Sequence, residues 1–298
     1  MLTFVAILLD GIVYASWLFI VSLGLTLIYG VMRILNIAHG SLYALGAYAA
    51  ASLIGVYFAQ GYPPYASYAL LLVSAVIVGL VFGLVIERGV LRWMYGRDEV
   101  VMLLVTYAVF LILEDVVKLA WGVDPYFAYQ PYGLLGLVDV FGLPYNVYDF
   151  AFVAIAVLSG GAVWWGLNRT RAGKQLIAVI HDREMSVAFG INVTAIFTVT
   201  FILGAMLGAL GGAFTAPKIS VFPGIAVEVI VLAFAVVVIG GLGSVGGAMI
   251  GATLVGLARA TAVHLLPEAE LFVIYGVMAL VLAVRPHGLF AAPEARKI

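Results

Sequence analysis

The sequence predicts an all-α, polytopic integral membrane protein with about eight to nine transmembrane segments, and three observations predict it. Of the 298 residues, 65% are apolar and 10% charged, with a mean hydropathy of +1.19. A soluble globular chain is roughly 45–50% apolar and about 25% charged, so 14 Lys+Arg and 15 Asp+Glu are too few to wet a soluble body of this size. Charge-poor runs of spanning length, about 20 residues, fall at roughly 4–32, 36–60, 66–86, 100–120, 148–167, 192–216, 226–240, 247–266 and 270–285. These runs are too long and too uniformly apolar for the alternating strands of a membrane barrel, which leaves helices. The whole chain, 1–298, reads as one membrane domain. A net charge of −1 offers no basic excess for a nucleic-acid partner. Without cysteine there is no disulfide framework, thiol catalysis or thiolate metal site.

The first run begins at once. Met1–Leu9 lacks a basic n-region and its apolar character continues through Asp10, so it belongs to the first membrane helix rather than to a removable signal. After Arg33 comes a polar interruption, Asn36-Ile-Ala-His39-Gly40-Ser41, in otherwise apolar sequence. Asn36 is placed to cap the helix that follows. His39 is placed to hydrogen-bond a broken helix end or a neighbouring carbonyl, with no second ionisable group at helical spacing for a proton relay or a metal. Both could still line a translocation path, because polar groups at membrane depth persist where protein or water satisfies them. The next runs are separated by a polar loop with Arg88, Arg92 and Arg97 and by the segment 121–147, whose Asp124, Pro125, Pro131, Asp139 and Pro144 mark an ordered external loop rather than a domain.

The loop 168–191 is the most polar stretch. Arg169, Arg171 and Lys174 precede an amphipathic segment through Ile180; then Asp182 is a good N-cap, Glu184 falls in the first turn where the helix dipole favours it, and Gly190 sits where a C-terminal cap belongs. A short interfacial helix of about two turns is expected there. Gly204, Gly208 and Gly212, then Gly243, Gly247 and Gly251, keep a four-residue spacing that places each trio on one helix face for close packing, as do Gly79 and Gly83. Gly240-Gly241-Leu-Gly243-Ser244-Val-Gly-Gly is too rich in glycine to stay helical. The two interruptions, one in each half, are the pattern of a transporter built from an internal repeat with its pathway where helices break. That makes Asn36, His39, Gly40, Gly240, Gly241, Gly243 and Ser244 the candidate path residues.

Basic residues set the orientation. Arg88, Arg92, Arg97, Arg169, Arg171, Lys174, Arg183, Arg285, Arg296 and Lys297 fall in alternate loops and the tail, with Arg33 on the same side, while Lys118, Lys218 and Arg259 lie on the other. The C-terminus is therefore expected in the cytoplasm and, with an odd span count, the N-terminus outside. Glu87, Glu114, Asp115 and Glu228 all fall near predicted span ends, which argues against an ion-coupled carrier with a midplane carboxylate. A phosphate loop is absent too: Gly173-Lys174 is followed by Gln175, and Asn168 stands where the first glycine would be. With no metal motif or nucleophile elbow either, an enzyme is disfavoured, and uphill transport would need energy from another subunit. An ion-coupled secondary transporter and a channel or structural subunit are the rival readings.

Three motifs in order resemble one family. Gly24-Leu-Thr-Leu-Ile-Tyr-Gly30 with Asn36-Ile-Ala-His-Gly40 and Leu45-Gly-Ala-Tyr48, then Arg169-Thr-Arg-Ala-Gly173 with Asp182-Arg-Glu184 and Gly190-Ile-Asn192, then Val238-Ile-Gly-Gly-Leu-Gly-Ser244, are similar to the permease subunits of branched-chain amino acid ABC importers, H-type rather than the longer M-type. The similarity runs from about Gly11 to Gly288. It implies a heteromeric importer of the cell inner membrane: this subunit, a second homologous permease, two cytoplasmic ATPases and an external substrate-binding protein. ATP would be used by the partners, with no cofactor in this chain. The resemblance makes about 168–191 the ATPase-coupling loop, with Arg171, Gly173, Asp182, Arg183, Glu184 and Gly190 as its residues. Glu184 and Gly190 match the Glu and Gly of the coupling motif; Met185-Ser186 replaces the alanines common there. Related permeases carry urea or short amides with nearly the same motifs, so those solutes stand beside neutral amino acids.

Overall fold

Leu2–Met32 forms one 31-residue helix, α1, in the computed structural model, which describes residues 2–290. Met1 and the tail residues Arg296 and Lys297 lie outside the described residues. The run is continuous because nothing in it breaks a helix, and its only charged side chain is Asp10. It ends where Arg33 takes a left-handed conformation, φ +56°. The chain then turns back into the bundle as a non-helical segment, 33–38, before α2 (His39–Ala59) begins.

The remaining helices are α3 (Ser67–Gly89), α4 (Glu99–Trp121), the short α5 (Gln130–Gly133), α6 (Val147–Arg169), α7 (Arg171–His181), α8 (Arg183–Ala188), α9 (Val193–Thr215), α10 (Ile225–Gly240), α11 (Val245–Leu265) and α12 (Glu270–Val284). Among the described residues seven helices are long and apolar enough to cross a bilayer, while α10 and the apolar part of α12 fall short of that length. The eight or nine expected segments thus resolve into seven long helices and two short ones. The segment 122–146 is ordered, as its turn residues imply. Strands β1 (Leu137–Val140) and β2 (Leu143–Asn146) pair antiparallel through Phe141 and Gly142, both at positive φ, the two-residue connection whose twist suits a hairpin.

The core is built on α1, α2 and α9. α9 packs against α1, α2 and α3, and α1 also packs against α11, α6 and α10. Small residues allow these approaches. A Cβ on Gly24 would lie 2.5 Å from Gly204 O and 2.8 Å from the His39 ring. On α11, a Cβ at Gly256 would lie 2.5 Å from Gly11 O of α1. Gly204, Gly208 and Gly212 all face inward, as their spacing predicts, but toward different neighbours: Ile28, His39 and Tyr43. The second trio departs from expectation. α11 starts at Val245, so Gly243 lies in the break and only Gly247 and Gly251 share a helix, both against α10.

Two helices start inside the bundle rather than at its edge. His39 Nε2 lies 2.9 Å from the carbonyl of Val21. At 1.5 Å per residue, Val21 is about 16 Å along α1 from Asp10 and about 18 Å from Arg33. α2 therefore begins near the middle of the apolar depth. α10 begins at the same level, because a Cβ on Gly40 would meet the Ala226 carbonyl and lie 2.9 Å from Ile230 Cβ. Gly224, at φ +98°, makes the sharp entry into α10, and its N–H donates to Glu114 Oε1 on α4 at 2.7 Å.

Candidate functional site

The first break is held by side chains from other helices. Thr106 of α4 donates its hydroxyl to Leu35 O at 3.1 Å, and its oxygen lies 3.3 Å from the Ile37 N–H. Those contacts satisfy backbone that no helix serves. His39 is wedged between α1 and α9, its ring fully buried against Gly24 and Gly208. Asn36 corrects the expectation of a cap. α2 has Ala38 at its N-cap position with no side-chain bond, His39 N bonds the Asn36 main-chain oxygen at 3.3 Å, and both Asn36 amide atoms are buried without a partner. Its side chain points elsewhere because the residue lies three positions ahead of α2, in the returning segment. Gly40 lies against α10.

The second break follows Gly240, the last residue of α10, whose missing Cβ makes room for Gly247 of α11. Gly241 and Gly243 take positive φ, +101° and +82°, which closes the turn. Ser244 caps α11, its hydroxyl oxygen accepting the Gly247 N–H at 3.0 Å. A Cβ on Gly243 would lie 3.0 Å from Gly30 Cα, so this break meets the end of α1. The seven candidate path residues thus form two groups joined through α1 and α10. None of them lines either of two cavities found in the bundle.

Those cavities lie elsewhere. One, of about 820 Å³, is an apolar groove bounded by α3, α6 and α9, with α7 and Phe189–Asn192 at one end. The other, of about 410 Å³, is walled by Arg33, Arg97, Arg183, Glu99 and His181. Beside it Tyr95 donates to Glu87 Oε1 at 2.6 Å. Burial first, and then that carboxylate, raise the Tyr95 hydroxyl above its ordinary pKa.

The coupling-loop candidates gather at this same basic end. α7 is capped by Thr170, which accepts the Gly173 N–H at 3.0 Å. Gly173 is buried where α7 packs under the end of α6, while Arg171 is exposed. Asp182 caps α8, with Oδ1 accepting the Met185 N–H at 2.9 Å. Arg183 lies over the Phe197 ring at 5.4 Å and ties α8 to the foot of α9. Gly190 (φ +79°) bonds Val187 O while Ile191 N–H reaches Ser186 O, the paired closure of a Schellman motif. Glu184 points outward with Met185, Val187 and Phe189, the last 79% exposed. Sequence reasoning placed the caps and missed this apolar trio, whose exposure is a property of how α8 sits.

The opposite end carries a charged network. Tyr145 of β2 and His264 of α11 both reach Asp10, at 3.0 and 2.7 Å, and burial followed by the Asp10 contact pushes the Tyr145 hydroxyl up to about 12. Lys218 pairs with Asp149 at 2.5 Å, and Tyr132 donates to the same carboxylate at 3.0 Å, so burial and Asp149 hold the Tyr132 hydroxyl at about 12. Arg259 pairs with Glu270 and lies 4.0 Å over the Tyr14 ring. One carboxylate was misplaced by its position in the sequence. Glu228 is near the end of its helix as expected, but that end lies at mid-depth, where the sequence offered only span edges.

Comparison with known proteins fits this architecture. Residues 7–282 match the family described as branched-chain amino acid transport system / permease component. The high-affinity branched-chain amino acid transport system permease protein BraD of Pseudomonas aeruginosa is 28% identical, covering 98% of this chain and 97% of its own. LivH of Salmonella typhimurium, with the same description, is 26% identical over 100% of this chain and 98% of its own. A probable branched-chain amino acid transport permease protein LivH of Methanocaldococcus jannaschii is 28% identical over 95% and 91%. A chain of PsaBC from Streptococcus pneumoniae in complex with Fab covers 97% of this chain and 92% of its own at 12% identity, with a TM-score of 0.48, below the level at which a shared fold follows. A multi-pass helical bundle matched along nearly its whole length places this chain in the family of branched-chain amino acid transport system permease components.

Proposed function

We propose that this chain is the permease subunit of an ATP-driven ABC importer for branched-chain or other neutral amino acids, supplying the gated path while separate subunits hydrolyse ATP. The observation that carries the reading is the end-on surface of α8 in a chain of this family: a capped helix with Glu184, Met185, Val187 and Phe189 exposed at the basic end of the bundle. An exposed apolar cluster rimmed by charge suits a protein partner. On this reading two cytoplasmic ATPases dock there, a second homologous permease completes the path, and an external binding protein delivers the solute at the hairpin end. The N-terminus is then external and the C-terminus cytoplasmic, in the cell inner membrane. The chemistry of this chain is that of a conduit, and it is not an enzyme.

The test is uptake of labelled leucine into proteoliposomes holding the complete complex and the loaded binding protein. Uptake that needs ATP and survives collapse of ion gradients is the expected result; uptake that needs a gradient and ignores ATP sinks the proposal. Uptake of urea or a short amide in place of leucine would reassign the solute. Glu184→Arg is expected to reduce the co-purified ATPase about tenfold, the effect of losing roughly 1.4 kcal/mol of docking energy, while the thermal melt of the permease stays near that of the parent; Gly190→Ala, strained at its left-handed φ of +79°, is expected to reduce recovery by loosening the end of α8. Unchanged ATPase recovery in both variants would remove α8 from the docking surface.

A further inference from the structure

Glu228 is exposed on the first turn of α10, beside Val227 and Val231, which are 48% and 40% exposed. Two independent contacts fix its depth. Gly40 abuts Ala226 and Ile230 on either side of it, and His39, next to Gly40, is bonded to Val21 of α1. Separately, Ser22 of α1 donates to the Ala233 carbonyl at 3.5 Å, five residues further along α10. At 1.5 Å per residue these contacts put Glu228 between about 10 and 16 Å inward of Asp10, within the apolar stretch that ends at Arg33. None of the ion pairs among the described residues involves Glu228. Three other carboxylates toward that end are engaged: Glu114 by the Gly224 N–H, Asp149 by Lys218, Glu270 by Arg259.

A carboxylate at that depth does not face lipid; such groups face a water-filled cavity or a bundle interior. We propose that Glu228 lies on the translocation path and receives the ammonium group of the solute, with Val227 and Val231 flanking it for an aliphatic side chain. This rests on the importer reading and deepens it by naming the residue that meets the charged end of the solute. The geometry suits such a solute because one carboxylate and a flanking apolar wall match an ammonium beside a branched alkyl group. Urea and simple amides carry no cation to use the charge.

Two experiments on the complete importer test it separately from the importer reading. The chain has no cysteine, so Glu228→Cys gives a single thiol. It is expected to react with a water-soluble cationic thiol reagent in the assembled complex and to be shielded when leucine-loaded binding protein and ATP are supplied. A thiol that resists the reagent overturns the path position, whatever solute is carried. In the second, ATP-driven leucine uptake into proteoliposomes is expected to fall about tenfold or more in Glu228→Gln and to be largely kept in Glu228→Asp, while subunit co-purification and stimulated ATP hydrolysis stay within about twofold of the parent. Uptake in Glu228→Gln within about twofold of the parent overturns the ammonium role. Loss of the second permease from the Glu228→Gln complex overturns it too, because the carboxylate is then an interface ion pair. Failure of the unmodified complex to take up leucine with ATP counts against the importer reading instead, and the thiol experiment is unaffected by it.

Discussion

His39 shows how much a single side chain is asked to do in this bundle. Its ring fills the space left by two missing Cβ atoms and bonds a carbonyl eighteen positions back in the chain. A Cβ on Gly208 would lie 2.8 Å from His39 Cε1 and 3.0 Å from Nε2. Gly208→Ala therefore forces the ring off its bond with Val21, at an expected cost of about 1–3 kcal/mol, read as an earlier thermal melt of the purified subunit. His39→Ala alone is also destabilising, but the double substitution should cost less than the sum, because the added methyl then enters the space the ring vacates. Additive effects would show that the ring is not the obstacle. The sequence made a carbonyl bond one reading of His39, because a lone imidazole in an apolar run has few other partners. Asn36 misled for a related reason: cap preference is a local rule, and it holds only if the next helix starts within reach.

At the scale of elements, hydropathy located the helices well. The run at 226–240 is α10 at Ile225–Gly240, and 270–285 is α12 at Glu270–Val284. The short helix α8 followed from Asp182, Glu184 and Gly190, because caps act within one turn and leave a local signature. Depth was illegible. A charge at the end of an apolar run reads as the membrane edge, yet α2 and α10 begin inside, and only contacts between distant segments reveal it. Thr106 is the clearest instance, since it serves backbone sixty-nine positions away. Thr106→Val leaves the Ile37 N–H and the Leu35 carbonyl without that partner. The expected loss is about 1–3 kcal/mol, with faster amide exchange confined to 33–38; exchange unchanged in that segment would show that the break is held by something else. The glycine spacing was likewise only half informative, because period four says which residues share a helix and Gly243 belongs to none.

For the molecule as a whole, the distribution of charge gives an axis, and the absence of cysteine makes that axis simple to test. Phe141 stands at the hairpin tip, 78% exposed, and Phe189 just past α8, at the basic end. With an impermeant thiol reagent on intact cells, Phe141→Cys is expected to label and Phe189→Cys to label only after the membrane is opened. The reverse pattern would invert the positive-inside assignment. Two helices far apart in sequence, α1 and α11, close on each other along this axis: Gly11 nests against Gly256, and Asp10 meets His264, 254 positions away. That closure puts a clock on biogenesis. At about 5–20 residues per second, roughly 13 to 50 s separate synthesis of α1 from synthesis of α11. Through that interval the small-residue face of α1 waits in the bilayer, so this seam closes only once α11 has been made, and a chain cut short before α11 leaves the first helix without that neighbour.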